Sequence, residues 1–135
     1  MAANQDTADA RAQRTRDVEE HVAHYVRVFN AGDVDAVNEM YTEEAVAVWE
    51  PGKPISGQER KDSVREFLAA GPKMEAKIRH SYVTPDTALL VVDWNIESKD
   101  KDGAPERFEG VGLDVLRRGS DGTWRYAIDE PFSEV

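Results

Sequence analysis

Apolar residues at Val18, Val22, Tyr25, Val26 and Phe29 recur at helical spacing. They predict a helix from about Asp17 that stops at Ala31-Gly32, where glycine suits the left-handed position after a helix. Asp33 is placed to cap a second, short helix with Val34, Val37, Met40 and Tyr41 along one face. AVAVWEP reads as a strand from Ala45 to Glu50, ended by Pro51 and a Pro/Gly-rich loop through Pro54. Ser56 and Glu59 have the capping-box spacing and open a third helix that turns Val64, Phe67 and Leu68 inward. Gly71-Pro72 closes it.

Beyond that point the period changes from 3.6 to 2. Met74, Ala76, Ile78, His80 and Tyr82 are expected on one face of a strand, with Glu75, Lys77 and Arg79 on the other. Further strands are predicted from Thr87 to about Glu97, from about Glu106 to Arg118 and from about Thr123 to Glu130, the last two joined by the hairpin signal GSDG. Three helices and a four-stranded antiparallel meander make an α+β fold, with the helices on one face of the sheet. Strict alternation sets Val111, Leu113 and Val115 against Gly110, Gly112, Asp114 and Leu116, and Trp124, Tyr126 and Ile128 against Ala127 and Asp129. The glycine and carboxylate face suits the floor of a cavity, and the bulky face suits a partner chain, so a homodimer through the sheet is expected.

Residues 1–16 lack apolar periodicity and read as a flexible N-terminal tail or a frayed helical extension, leaving 17–135 as one domain. No apolar run approaches a bilayer span and the opening lacks the apolar centre of an export signal, so the expectation is a cytoplasmic protein with no membrane association. The formal charge of −10 argues against binding nucleic acid or anionic lipid and leaves a small, weakly polar molecule or another protein as partner. With no cysteine, thiolate chemistry is excluded. His21 and His24, three apart on a helix, lack the further ligands a metal needs, and no phosphate-binding loop, dinucleotide fingerprint or nucleophile elbow is present.

HYVRVFNAGDVDAVNEMY, followed by a short strand, an x-Pro loop and Ser-Gly before a helix, resembles the opening of ketosteroid isomerase and of SnoaL-like polyketide cyclases, both of the NTF2-like superfamily. GVGLDVLRRGSDGTW resembles the same families' penultimate strand and turn. The resemblance implies the NTF2-like cone, a cystatin-like α+β roll with three N-terminal helices packed on a curved antiparallel sheet. It also implies a cofactor-independent acid/base enzyme, isomerase- or cyclase-like, on a small hydrophobic carbonyl compound; the alternative is a non-catalytic ligand-binding or assembly protein. In the isomerase a carboxylate moves a proton while a Tyr and a protonated Asp donate to the enolate oxygen, so acids of one type take separate roles. By that resemblance the donors fall on Tyr25 and Asp114, and the base near Glu50.

From the residues alone, Asp114 on an apolar strand needs a partner or a proton. Between Tyr41 and Pro51 the chain is one residue longer than the isomerase pattern, so Trp49 and Glu50 both remain candidates for the pocket-facing position. Asp129 has the parity of an alternative acid. His80 is either a general base or a satisfied core histidine. Phe29, Trp49, His80, Trp94 and Asp129 are the expected ligand-facing residues.

Overall fold

The computed structural model describes residues 7–133. Helix α1 (Ala8–Asn30) is followed by α2 (Val34–Glu39), β1 (Tyr41–Glu50), β2 (Lys53–Ile55), α3 (Gly57–Leu68), β3 (Lys73–Val83), β4 (Thr87–Lys99), β5 (Pro105–Arg118) and β6 (Trp124–Ser133). Thr7 caps α1 through a hydrogen bond from the Ala10 N–H, so the helix begins well before Asp17 and takes in most of the expected tail. Residues 8–16 are therefore helical, with Arg14 buried, and the remainder of the tail lies outside the described residues except Thr7. Asp33 caps α2 as expected, accepting from the Ala36 N–H, whereas Ser56 begins α3 without a side-chain cap.

Six strands form one sheet in the order β2-β1-β6-β5-β4-β3. The antiparallel meander β3 to β6 is present, but β1 joins β6 in parallel, so the sheet is mixed rather than antiparallel throughout. Tyr41, expected at the end of α2, instead opens β1 opposite Tyr126. The helices cover one face, where Val18, Val37, Leu90 and Leu116 are sealed from solvent among the inward residues of α1, α2, β4 and β5. Burying such side chains stabilises the fold by about 1.5–3 kcal/mol each.

Three bulges decide which side chains reach that face. In β3, Ile78 pairs with Val92 but His80 with Val91, so Arg79 and His80 together oppose one outward residue. Arg79 bonds Asp93 on the outer face, its Nε donating at 3.1 Å, and His80 and Tyr82 follow it outward. In β6, Leu116 pairs with Tyr126 but Val115 with Ile128, which makes Ala127 the extra residue. Trp124 and Tyr126 consequently point inward and are buried, Ile128 points outward, and Asp129 points inward again. The expected partner-facing stripe thus loses Trp124 and Tyr126. Farther along, Leu113 pairs with Glu130 and Val111 with Ser133, so Pro131 and Phe132 both lie over Gly112.

Candidate active site

Between the helices and the curved sheet lies a cavity of about 670 Å³, a size suited to a small organic ligand. Its walls are largely apolar: Phe29 from α1, Met74 from β3 and Trp94 from β4 contribute, while Phe67, Phe108 and Phe132 stand partly exposed at its edge. Trp94 lies across Gly110 and Gly112 and donates from Nε1 to the Pro131 carbonyl at 2.8 Å. A Cβ at position 110 would come within 3.2 Å of the Trp94 ring, so glycine is what lets the indole lie flat there.

The polar groups gather at one place. Asp114 and Asp129 are direct cross-strand partners on β5 and β6, and both line the cavity. Tyr41 donates its hydroxyl proton to Asp129 Oδ2 at 2.9 Å, and Trp49 Nε1 donates to the same oxygen at 2.9 Å. A carboxylate only accepts, so the Tyr41 proton is committed. The 2.8 Å contact between the Tyr25 and Tyr41 hydroxyls must then run from Tyr25 to Tyr41. A one-directional chain results, Tyr25 to Tyr41 to Asp129, with the Tyr126 ring 5.1 Å from that of Tyr25 and 5.4 Å from that of Tyr41.

Asp114 is different. Its Oδ1 is sealed from solvent, and no N–H or conventional O–H donor among the described residues reaches it. Burial, then the charge of Asp129, then a hydrogen bond shared with that carboxyl, push Asp114 well above the usual carboxylate range. Asp114 therefore holds its proton more firmly than an ordinary carboxyl, beside an Asp129 that accepts from two donors. Tyr25 is likewise driven upward, first by burial and then by the Asp129 charge, with the bond to Tyr41 opposing; burial also raises Tyr41 and Tyr126. All three phenols stay neutral donors.

The structure brings Tyr25, Asp114, Trp49 and Asp129 to this cluster and places Phe29 and Trp94 in the surrounding wall. Trp49, not Glu50, takes the interior position: Glu50 sits at the mouth with its side chain 72% exposed, paired to Lys53 at 3.1 Å. His80 is on the far side of the sheet, stacked on Tyr82, and its expected place in the pocket is corrected by the bulge at Arg79. His21, below the cluster and 4.7 Å from the Tyr126 ring, is held neutral, its pKa lowered to about 4 by burial first and by nearby positive groups second. Among the described residues no three His, Asp or Glu side chains cluster as metal ligands would. Sequence reasoning misses Tyr41 and Tyr126 as site residues, and the inward face of position 126 relative to Asp129 follows only from the bulge between them.

A cone of helices over a curved mixed sheet, closed around tyrosines and a carboxyl pair, defines the protein as NTF2-like in architecture. The chain belongs to the SnoaL-like domain family, whose model matches residues 22–127. It is similar in structure to a conserved protein from Planctomyces limnophilus, at 16% identity over 87% of this chain and 94% of that one, TM-score 0.79. An NTF2-like family protein from Streptomyces avermitilis shares 21% identity over 87% and 94%, TM-score 0.73. A ketosteroid isomerase-like protein from Erwinia carotovora atroseptica shares 23% over 84% and 91%, TM-score 0.67. Likeness at these identities carries the fold alone. No curated protein matches the chain in sequence. Among the described residues no helix is long and apolar enough to cross a membrane.

Proposed function

We propose that this protein is a cofactor-independent acid/base enzyme, isomerase- or cyclase-like, that moves a proton on a small hydrophobic carbonyl compound held in the cone. The observation that carries the reading is the cross-strand pair Asp114 and Asp129: adjacent carboxyls at the floor of an apolar cavity, one pushed to stay protonated and the other held by two donors. Environments that drive neighbouring acids apart divide the roles of donor and base. The Asp129 carboxylate removes a proton from the carbon beside the carbonyl, and the C–H electron pair passes into an enolate. The enolate oxygen accepts from the Asp114 O–H. Return of the proton from Asp129 to a different carbon completes an isomerisation with no net change in atoms.

In this reading Asp129 replaces Glu50 as the base, because Glu50 lies at the mouth on Lys53. Tyr25 acts through Tyr41, which hands its proton to Asp129. The aromatic edge of Phe67, Phe108 and Phe132 favours a flat, apolar ligand. The same ordered hydrogen bonds also favour a second reading, a binding protein without catalysis, since the Tyr25 proton is already committed within the protein.

Double-bond migration separates the two. The protein is incubated with a β,γ-unsaturated cyclic ketone, and formation of the conjugated α,β-unsaturated ketone is followed by NMR. The enzyme reading expects conversion above the buffer rate in the wild type and its loss in Asp129→Asn. Binding of the ketone without conversion leaves the binding-protein reading in place. The outer sheet face, with Tyr82, Leu89 and Ile128 exposed beside Leu113 and Val115, is the surface through which two copies associate.

A further inference from the structure

Arg60 is only 1% exposed, the most deeply buried charged side chain among the described residues. It lies on the inner face of α3 with Val64 and Leu68, four and eight residues on. Its guanidinium rests over the Tyr41 ring, 4.4 Å from the centroid. Nη1 donates to Asn38 Oδ1 at 3.2 Å, and Nε is buried with no acceptor. The ion pairs of the described residues do not include it. A buried cation with one neutral partner is costly unless an anion nearby offsets it.

That anion is one phenol away. Tyr41 carries the guanidinium on its ring face and gives its hydroxyl proton to Asp129. We propose that Arg60 is a positioning residue whose buried charge, acting through Tyr41, is the counter-charge of the Asp129 carboxylate and so fixes the shared proton on Asp114. A cation on the face of a phenol withdraws electron density and makes the O–H a stronger donor. A stronger Tyr41 donor binds the Asp129 carboxyl more tightly, and the Asp129 charge is what, after burial, keeps the proton on Asp114.

The other groups facing the pair do not supply this charge. Tyr25 from α1, Tyr41 and Trp49 from β1 and Tyr126 from β6 are neutral donors. Glu59 lines the cavity from α3 as a further acid, and at the mouth the Lys53 charge is taken by Glu50. The Arg60 field also reaches Tyr25, where it opposes the rise that burial causes. Arg60 exerts this influence in the ligand-free protein, whether the pocket catalyses or only binds.

The test is carboxyl-carbon NMR on the full chain labelled with ¹³C-aspartate, titrated without ligand. In the wild type near neutral pH, one member of the Asp114–Asp129 pair is expected ionised and one protonated. Arg60→Met moves the pair's first ionisation upward by about one pH unit, and Arg60→Lys, which keeps a charge, moves it by less than half as much. Where Arg60→Met fails to fold, Arg60→Met with Asp129→Asn removes both charges and folds better than Arg60→Met alone. A wild-type pair that is doubly protonated at neutral pH, a titration unmoved by Arg60→Met, or a double variant no better than that single one would each overturn the proposal.

Discussion

Asp114→Asn should make the protein more stable at neutral pH, and the gain should vanish in acid. The native state holds the Asp114 proton far above the ordinary value of 3.8, because the carboxyl is buried beside the Asp129 charge. The unfolded chain releases that proton near the ordinary value. Native protein thus binds more protons than unfolded protein above about pH 4, and stability from this group falls as pH rises until the native value is passed. The loss runs at about 1.4 kcal/mol for each pH unit over which the native state keeps a proton that the unfolded chain has released. An amide at 114 has no charge to release, and its N–H still donates toward Asp129. For a 135-residue chain each kcal/mol of gain raises Tm by about 3–5 °C, so the difference in Tm should grow from near zero at about pH 4 as the pH rises toward neutrality. Urea unfolding of both proteins from pH 4 to pH 8 measures it directly. A difference that does not change with pH, or a wild type more stable than the variant at pH 7, would refute the assignment of the proton to Asp114.

Three further outcomes follow from the same geometry. Tyr41→Phe strands the Tyr25 proton and takes a donor from Asp129, so it should cost about 2–4 kcal/mol in urea unfolding, more than Tyr25→Phe, which removes only the end of the chain; the reverse order would contradict the direction of the relay. If two copies associate through the outer sheet face, the wild type should sediment as a dimer and Ile128→Glu, placing a charge there, as a monomer with the fold intact; a monomeric wild type or an unchanged mass would refute association through this face. Deleting residues 1–16 removes the first turns of α1 with the buried Arg14 and should lower the thermal midpoint by several degrees, where a true tail would leave it unchanged.

Apolar periodicity marks the three helices of the described residues and the four strands of the meander, but not the polar first turns of α1, which precede the expected start at Asp17. Asp114 was legible as well, since a carboxylate among apolar strand residues demands a partner or a proton. The failures share a cause. Strand parity assumes an unbroken ladder, and the extra residues at Arg79 and Ala127 reverse the faces on one side of them relative to the other, sending His80 outward and setting Tyr126 on the same side as Asp129. Tyr41 continues the helical spacing of Val34 and Val37, so nothing local distinguishes the last apolar residue of a helix from the first of a strand; its pairing partner Tyr126 is far along the chain. Arg60 is invisible for another reason: an arginine in a charged helix reads as solvent-facing, and only the packing of α3 on β1 reveals otherwise.

The bulge at Ala127 bears on how such a pocket diversifies. In a regular strand, residues three apart face opposite ways, yet Tyr126 and Asp129 both enter the cavity because one surplus residue stands between them. Loss of the codon for Ala127 would leave the tyrosine and the carboxyl two apart on an unbroken ladder, still facing inward, so the site tolerates that deletion. Straightening the ladder without shortening it has the opposite effect: with the hairpin side fixed, Asp129 turns out of the pocket and Ile128 and Glu130 turn in. Strand length and ladder regularity together thus act as a selector, deciding which functional groups an unchanged scaffold presents. Lineages of this architecture can keep one chemistry through a change in spacing, or exchange it with no change in residue type.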